Sequence, residues 1–91
     1  MFCTWSTSMF YTYVIENKNG NRYIGFTNDL KKRIIEHNNN ETYTSRRLKG
    51  PWKIIYYEDC ANKLDAHQRE KYLKSGRGWA YLKRRLHYYI Q

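Results

Sequence analysis

The chain is short of the residues that build disulfide frameworks, metal–thiolate domains and membrane spans. Its two cysteines, Cys3 and Cys60, stand far apart with no CxxC partner and no histidine at a zinc spacing, which argues against a disulfide or a zinc site. No apolar run approaches the roughly 20 residues of a spanning helix. Nothing at the N-terminus joins a basic start to an apolar stretch, so no secretory signal is expected and the cytoplasm is the expected location. Acidic residues are scarce as well, eight Asp and Glu against seventeen Lys and Arg, for a formal charge of +9. That imbalance costs self-repulsion in the compact state and attracts polyanions, nucleic acid before any other. A membrane surface would feel the same charge, but the amphipathic C-terminal stretch is short. A merely solubilising surface is the plain alternative.

What is present is globular. With 41% hydrophobic and 18% aromatic residues, ten of them tyrosine, the chain is too apolar for a solvated coil. Ninety-one residues make one domain with a thin core, leaving no room for a separate recognition domain. Residues 1–9 read as a loose lead-in and 10–91 as the domain.

Phe10 to Glu16 is a β-branched and aromatic run that ends at Asn17-Lys18-Asn19-Gly20-Asn21. Asn-Gly between two such runs predicts a hairpin, with Arg22 to Phe26 returning. Thr27, Asn28 and Asp29 are all suitable N-caps for a helix to about His37, with Leu30 and Ile34 one turn apart. The polar, basic segment from Glu41 to Gly50 reads as a loop. Pro51 opens a third strand, Trp52 to Glu58, whose Ile54-Ile55-Tyr56-Tyr57 run suits a central position. Asn62, with Asp65 three residues on, caps a second helix that ends at Gly76 as a C′ glycine. A last helix, from about Trp79 to Tyr88, carries Trp79, Leu82 and Leu86 on one face and Lys83, Arg84 and Arg85 on the other. The order ββαβαα predicts an α/β (α+β) layered domain, a three-stranded, mainly antiparallel sheet flanked by three helices.

Four places bear on chemistry. Arg33 and His37, at i and i+4, share a helix face at the rim of the expected core. A guanidinium there can hold phosphate in a fork, and an imidazole titrating near neutrality can accept a proton; a solvated basic face is the ordinary use of such a pair. Glu70 shares a helical stripe with Ala66 and Leu73, where an apolar residue is expected, so its carboxylate asks for a partner. A divalent cation such as Mg²⁺ and an i, i+4 pair with Lys74 both answer that demand. Tyr11 and Tyr13 on one hairpin strand face Tyr23 on the other, followed by Gly25. Most of the ten tyrosines are expected simply to pack.

In that order the residues resemble the GIY-YIG nuclease domain family, specifically its small stand-alone bacterial members, over roughly Phe10 to Leu86. Tyr11-Thr12-Tyr13 stands at the first motif, with its tyrosine but without its glycine, and Tyr23-Ile24-Gly25 is the second motif in full. Asp29-Leu30-Lys31-Lys32-Arg33 with Glu36-His37-Asn38, the strand Trp52 to Glu58, and Arg69 to Gly76 complete the likeness. The resemblance implies a metal-dependent endonuclease that hydrolyses DNA phosphodiester bonds, in repair or recombination. It implies a catalytic set of Tyr13, Tyr23, Arg33, His37 and Glu70, with Glu70 holding one divalent metal, Mg²⁺ or Mn²⁺. Which of Tyr13, Tyr23 and His37 is the base stays open. An unperturbed tyrosine near pKa 10 is a poor base at neutral pH and a histidine at about 6.5 a better one, although nearby cations can lower a tyrosine. DNA backbone is expected to meet Arg46, Arg47, Lys49, Lys83, Arg84 and Arg85 in salt-sensitive contacts, with RNA a second possible polyanion.

Two positions depart from the pattern. Phe26 stands where the excision-repair branch has a lysine, and Tyr81-Leu82-Lys83 where many members have an asparagine. Two other functions therefore stay in view: a nucleic-acid-binding module with little or no cleavage, and an accessory subunit of a larger nuclease complex. An exposed apolar patch around Trp5, Trp79 and Tyr88 would mark the latter. The residues do not indicate an oligomeric state.

Overall fold

A computed structural model describes residues 8–90. Trp5 and Cys3 lie outside them, as does most of the expected lead-in. Strands β1 (Phe10–Asn17), β2 (Arg22–Thr27) and β3 (Trp52–Cys60) form one antiparallel sheet in the order β2-β1-β3. Helices α1 (Leu30–Asn38) and the short α2 (Tyr43–Arg47) follow the hairpin, and α3 (Lys63–Leu73) and α4 (Gly76–Arg85) follow β3.

The hairpin forms as its Asn-Gly signal predicts. Gly20 takes a positive φ of 83°, a conformation that glycine adopts without steric cost, while the Asn17 side chain accepts the backbone N–H of Asn19 and of Asn21. Pairing then sets Tyr13 opposite Gly25 and Ile15 opposite Tyr23.

Three expectations need correction. β1, not β3, is central: Thr12, Tyr13, Val14 and Ile15 are all buried, because helices cover both faces of the one strand that pairs on both edges. The Ile54–Tyr57 run sits half-exposed at the sheet edge, with a register shift opposite Val14 and Ile15. The segment 41–50 contains a helix, since Thr42 and Ser45 close a capping box at the start of α2. Gly76 does not end a helix but opens α4, whose N-cap is Ser75. Consequently α4 begins three residues before the expected Trp79 and ends at Arg85.

Two cores lie on opposite faces of the sheet. On one face Tyr13, Ile15 and Trp52 pack with Leu30 and Ile34 of α1 and with Leu48. On the other Val14, Leu73 and Leu82 pack with Ile24, Ile55 and Leu86, and the Thr12 hydroxyl donates to the Ala66 carbonyl at 2.8 Å to pin α3. At the edge of this second core Arg69 grips Glu58 through two nitrogens, at 2.8 and 2.9 Å. No described helix is long and apolar enough to cross a membrane.

Candidate active site

α1 presents its functional residues by helical spacing. Asp29 caps it, its carboxylate accepting the Lys32 N–H at 3.1 Å, and Leu30, Ile34 and His37 then fall on one inward stripe. His37 is therefore 1% exposed, while Arg33, one turn earlier and off that stripe, stays at the rim.

The buried imidazole is held from both sides. Its Nε2 lies 2.9 Å from the Tyr13 hydroxyl and its Nδ1 2.9 Å from Thr42 Oγ1. Thr42 Oγ1 donates to Ser45 Oγ at 2.8 Å and accepts the Ser45 N–H at 3.0 Å, while Ser45 Oγ donates to the Thr42 carbonyl. With the Thr42 proton directed to Ser45, the assignment that satisfies every group puts a hydrogen on His37 Nδ1. His37 Nε2 is then left to accept from Tyr13.

Tyr23 completes an aromatic cluster, its ring centroid 6.3 Å from Tyr13 and 5.4 Å from His37. Gly25 makes this closeness possible: a Cβ there would fall 2.7 Å from the Tyr13 hydroxyl and 2.9 Å from the Tyr23 ring. The second motif's glycine is thus required by contact with both tyrosines.

Arg33 donates to Glu36 at 3.0 Å and lies near enough for its charge to act on the Tyr13 hydroxyl. Glu70 comes from the other side of the strand edge. Its side chain is 13% exposed, with one oxygen 2.9 Å from Lys74 and the other 3.4 Å from His67 Nδ1, and its charge is felt by Tyr13. The Lys74 ammonium in turn stands 6.0 Å from the centroid of the Tyr23 ring. Tyr13, Tyr23 and His37 therefore cluster with Arg33 beside them, and Glu70 is linked to this cluster through Lys74, which pairs with it and stands by the Tyr23 ring.

Burial governs the protonation states. It pushes the Tyr13 hydroxyl up to about 12, opposed by Arg33 and reinforced by Tyr23 and Glu70. It pushes His37 down to about 4, helped by Arg33. The expected imidazole titrating near neutrality is thus replaced by one that stays neutral and ready to accept a hydrogen bond across the physiological range.

The six expected backbone-binding residues do not form one patch. Arg46, Arg47 and Lys49 are exposed on and after α2, beside α1, whereas Lys83, Arg84 and Arg85 are exposed on α4, across the sheet. Beside the site itself an open cleft is lined by Phe10, Phe26, Arg33, Lys32 and Lys63. The last two are scattered lysines that no sequence pattern singles out. Thr42 and Ser45, which hold the imidazole, lie in the segment that reads as a loop and were not singled out. Trp79 carries Arg22 and Lys83 over its ring, at 5.2 and 6.0 Å, and Tyr88 is 87% exposed.

Known proteins resemble this chain over most of its length. The model of the GIY-YIG catalytic domain matches residues 9–78. A UPF0213 protein of Clostridium perfringens is 42% identical over 66 residues, 72% of this chain and 71% of its own length. UPF0213 protein YazA of Bacillus subtilis is 34% identical over 68 residues, 75% of this chain and 69% of its own. The solution NMR structure of a UPF0213 protein from Bacillus halodurans superposes with a TM-score of 0.50 at 29% identity, covering 81% of each chain. The chain belongs to the GIY-YIG catalytic-domain family.

Proposed function

We propose that this protein is a divalent-metal-dependent endonuclease that hydrolyses phosphodiester bonds in DNA. The observation that carries the reading is the Tyr13 hydroxyl bonded to a buried neutral imidazole and packed with the Tyr23 ring over Gly25, with the charges of Arg33 and Glu70 acting on it. Hydrolysis needs a positioned water, an acceptor for its proton and cations to balance the phosphoryl oxygens.

Tyr13 need not ionise to serve. A water beside it gives its proton to the Tyr13 oxygen as the Tyr13 proton passes to His37 Nε2, and the Nδ1–H bond to Thr42 steadies the imidazolium that results. Burial makes that imidazolium costly, which suits a transient acceptor that must return its proton. Tyr23, half-buried above this pair, orients the water or phosphate, and Arg33 takes the phosphate charge.

The donor set around Glu70 fits a metal. Glu70 offers the carboxylate oxygen such an ion takes, with the rest of its shell as water and phosphate oxygen; among the described residues no three His, Cys, Asp or Glu side chains gather. Glu70 would hold that ion, Mg²⁺ or Mn²⁺, and when bound it supplies charge balance at the leaving oxygen. Exposed cations on α2 and α4 and the cleft lysines would hold DNA backbone with steep salt dependence. Such an activity suits DNA repair or recombination.

The test uses plasmid, single-stranded and branched DNA with Mg²⁺, Mn²⁺ or chelator. Nicking that requires metal and disappears in Glu70→Ala and Arg33→Ala is expected. Binding with no cleavage of any substrate would leave a DNA-binding module instead.

A further inference from the structure

We propose that His67 is a second protein ligand to the metal, so that the site takes a first-row transition ion such as Mn²⁺ in preference to Mg²⁺. The inference rests on the nuclease reading for its place beside the reacting phosphate, but its geometry stands apart from it. His67 and Glu70 sit at i and i+3 on α3, on one face, with His67 Nδ1 3.4 Å from Glu70 Oε1. That gap exceeds the 2.7–3.2 Å typical of an N–H···O hydrogen bond. It matches two ligands of a single ion: donors at about 2.1 Å, spread by about 90–109°, lie roughly 3.0–3.4 Å apart.

Each neighbour keeps this pair in place. Lys74 takes the other carboxylate oxygen, Oε2, at 2.9 Å, leaving Oε1 toward the imidazole. Phe26 meets the His67 ring edge-on at 5.4 Å between centroids, limiting its rotation, and also lines the cleft that holds Arg33. The residue that stands where relatives of another branch carry a lysine thus braces a histidine at the metal side of the site. Carboxylate and water suit Mg²⁺ and Mn²⁺ alike, whereas an imidazole beside them favours first-row transition ions over Mg²⁺, Mn²⁺ the least strongly among them. His67 is about half exposed, 49% for its side chain, so its replacement spares the core.

Mn²⁺ itself is the probe. In electron spin echo measurements on the whole chain, bound Mn²⁺ should show modulation from a directly coordinated ¹⁴N. His67→Ala should abolish that modulation and weaken Mn²⁺ binding about tenfold or more, with Mg²⁺ binding changed less than about threefold. His37→Gln should retain the modulation. Unchanged modulation and affinity in His67→Ala, or no Mn²⁺ binding to the wild type, would overturn the assignment. DNA nicking by a wild type that lacks nitrogen modulation would sink His67 alone. Nitrogen-coordinated Mn²⁺ with no cleavage of any DNA would instead sink the nuclease reading and leave the metal site standing.

Discussion

The two faces of the sheet are built on different terms. Beneath α3 and α4 the buried side chains are Val14, Ala66, Leu73 and Leu82, with Thr12 the single buried hydroxyl among the described residues there, and ionic groups such as Arg69 and Glu58 are kept to the half-exposed edge. Beneath α1 and α2 the interior holds His37, Thr42 and Ser45 beside Tyr13, Ile15 and Trp52, with Tyr13, His37, Thr42 and Ser45 joined in one hydrogen-bonded chain. Buried polar groups are tolerated only when satisfied, and they add less stability than apolar packing of the same volume. Both faces bury an apolar cluster, but only the α1 face also holds a buried imidazole in a fixed direction.

The largest expected effect that separates the faces is on stability. Leu82→Ala should destabilise the protein by about 2–5 kcal/mol through lost burial and the cavity it leaves, measured by urea denaturation, with the nicking rate per folded molecule preserved. Arg33→Ala should do the reverse. Its half-exposed rim position, with only an i, i+3 pair to Glu36 to lose, predicts a stability change within about 0.5 kcal/mol, and loss of a phosphate-facing cation predicts a fall of about 10²–10³-fold in cleavage rate.

A third contrast lies in pH. In the folded chain His37 is held near a pKa of about 4, against 6.5 when unperturbed. Between those values the unfolded chain binds the extra proton, so the stability due to neutral His37 is complete above about pH 6.5 and is lost as pH falls toward 4. The loss should approach about 3 kcal/mol. Urea midpoints at pH 7 and pH 4.5 should diverge by less in His37→Gln than in the wild type, whereas Leu82→Ala should keep the wild-type pH slope.

Much of this arrangement was legible in the chain. Asn19-Gly20 announces the hairpin, and the hairpin sets Tyr13 against Gly25; 3.6-residue spacing places His37 on the stripe of Leu30 and Ile34. The strand order was not, because β1 and β3 are equally rich in β-branched and aromatic residues and only long-range pairing decides which is central. The protonation state of His37 was hidden for a related reason. It depends on burial, and the imidazole is buried against Thr42, whose capping box with Ser45 uses serine in place of the usual Glu or Gln, in a segment whose polarity reads as loop. Likewise, nothing local shows that Arg46 and Arg85 end on opposite faces, since that follows from how α2 and α4 are packed.

Thr42 sharpens the comparison at smaller scale. Thr42→Val keeps the shape but removes the N-cap and the acceptor for His37 Nδ1–H, so a stability loss of about 1–2 kcal/mol is expected. Cleavage should fall by more than the loss of folded protein explains, and Thr42→Ser should restore both. The smallest change is expected at Arg84→Ala on exposed α4, with stability within about 0.5 kcal/mol and the salt slope of DNA binding reduced by about one.

The account stands on the claim that the polar face performs the chemistry through Tyr13 and His37. The most direct measurement is the single-turnover nicking rate of His37→Gln at saturating protein and metal, with DNA affinity determined in parallel. A fall of about 100-fold or more with affinity unchanged is predicted. Cleavage by His37→Gln at the wild-type rate would contradict it.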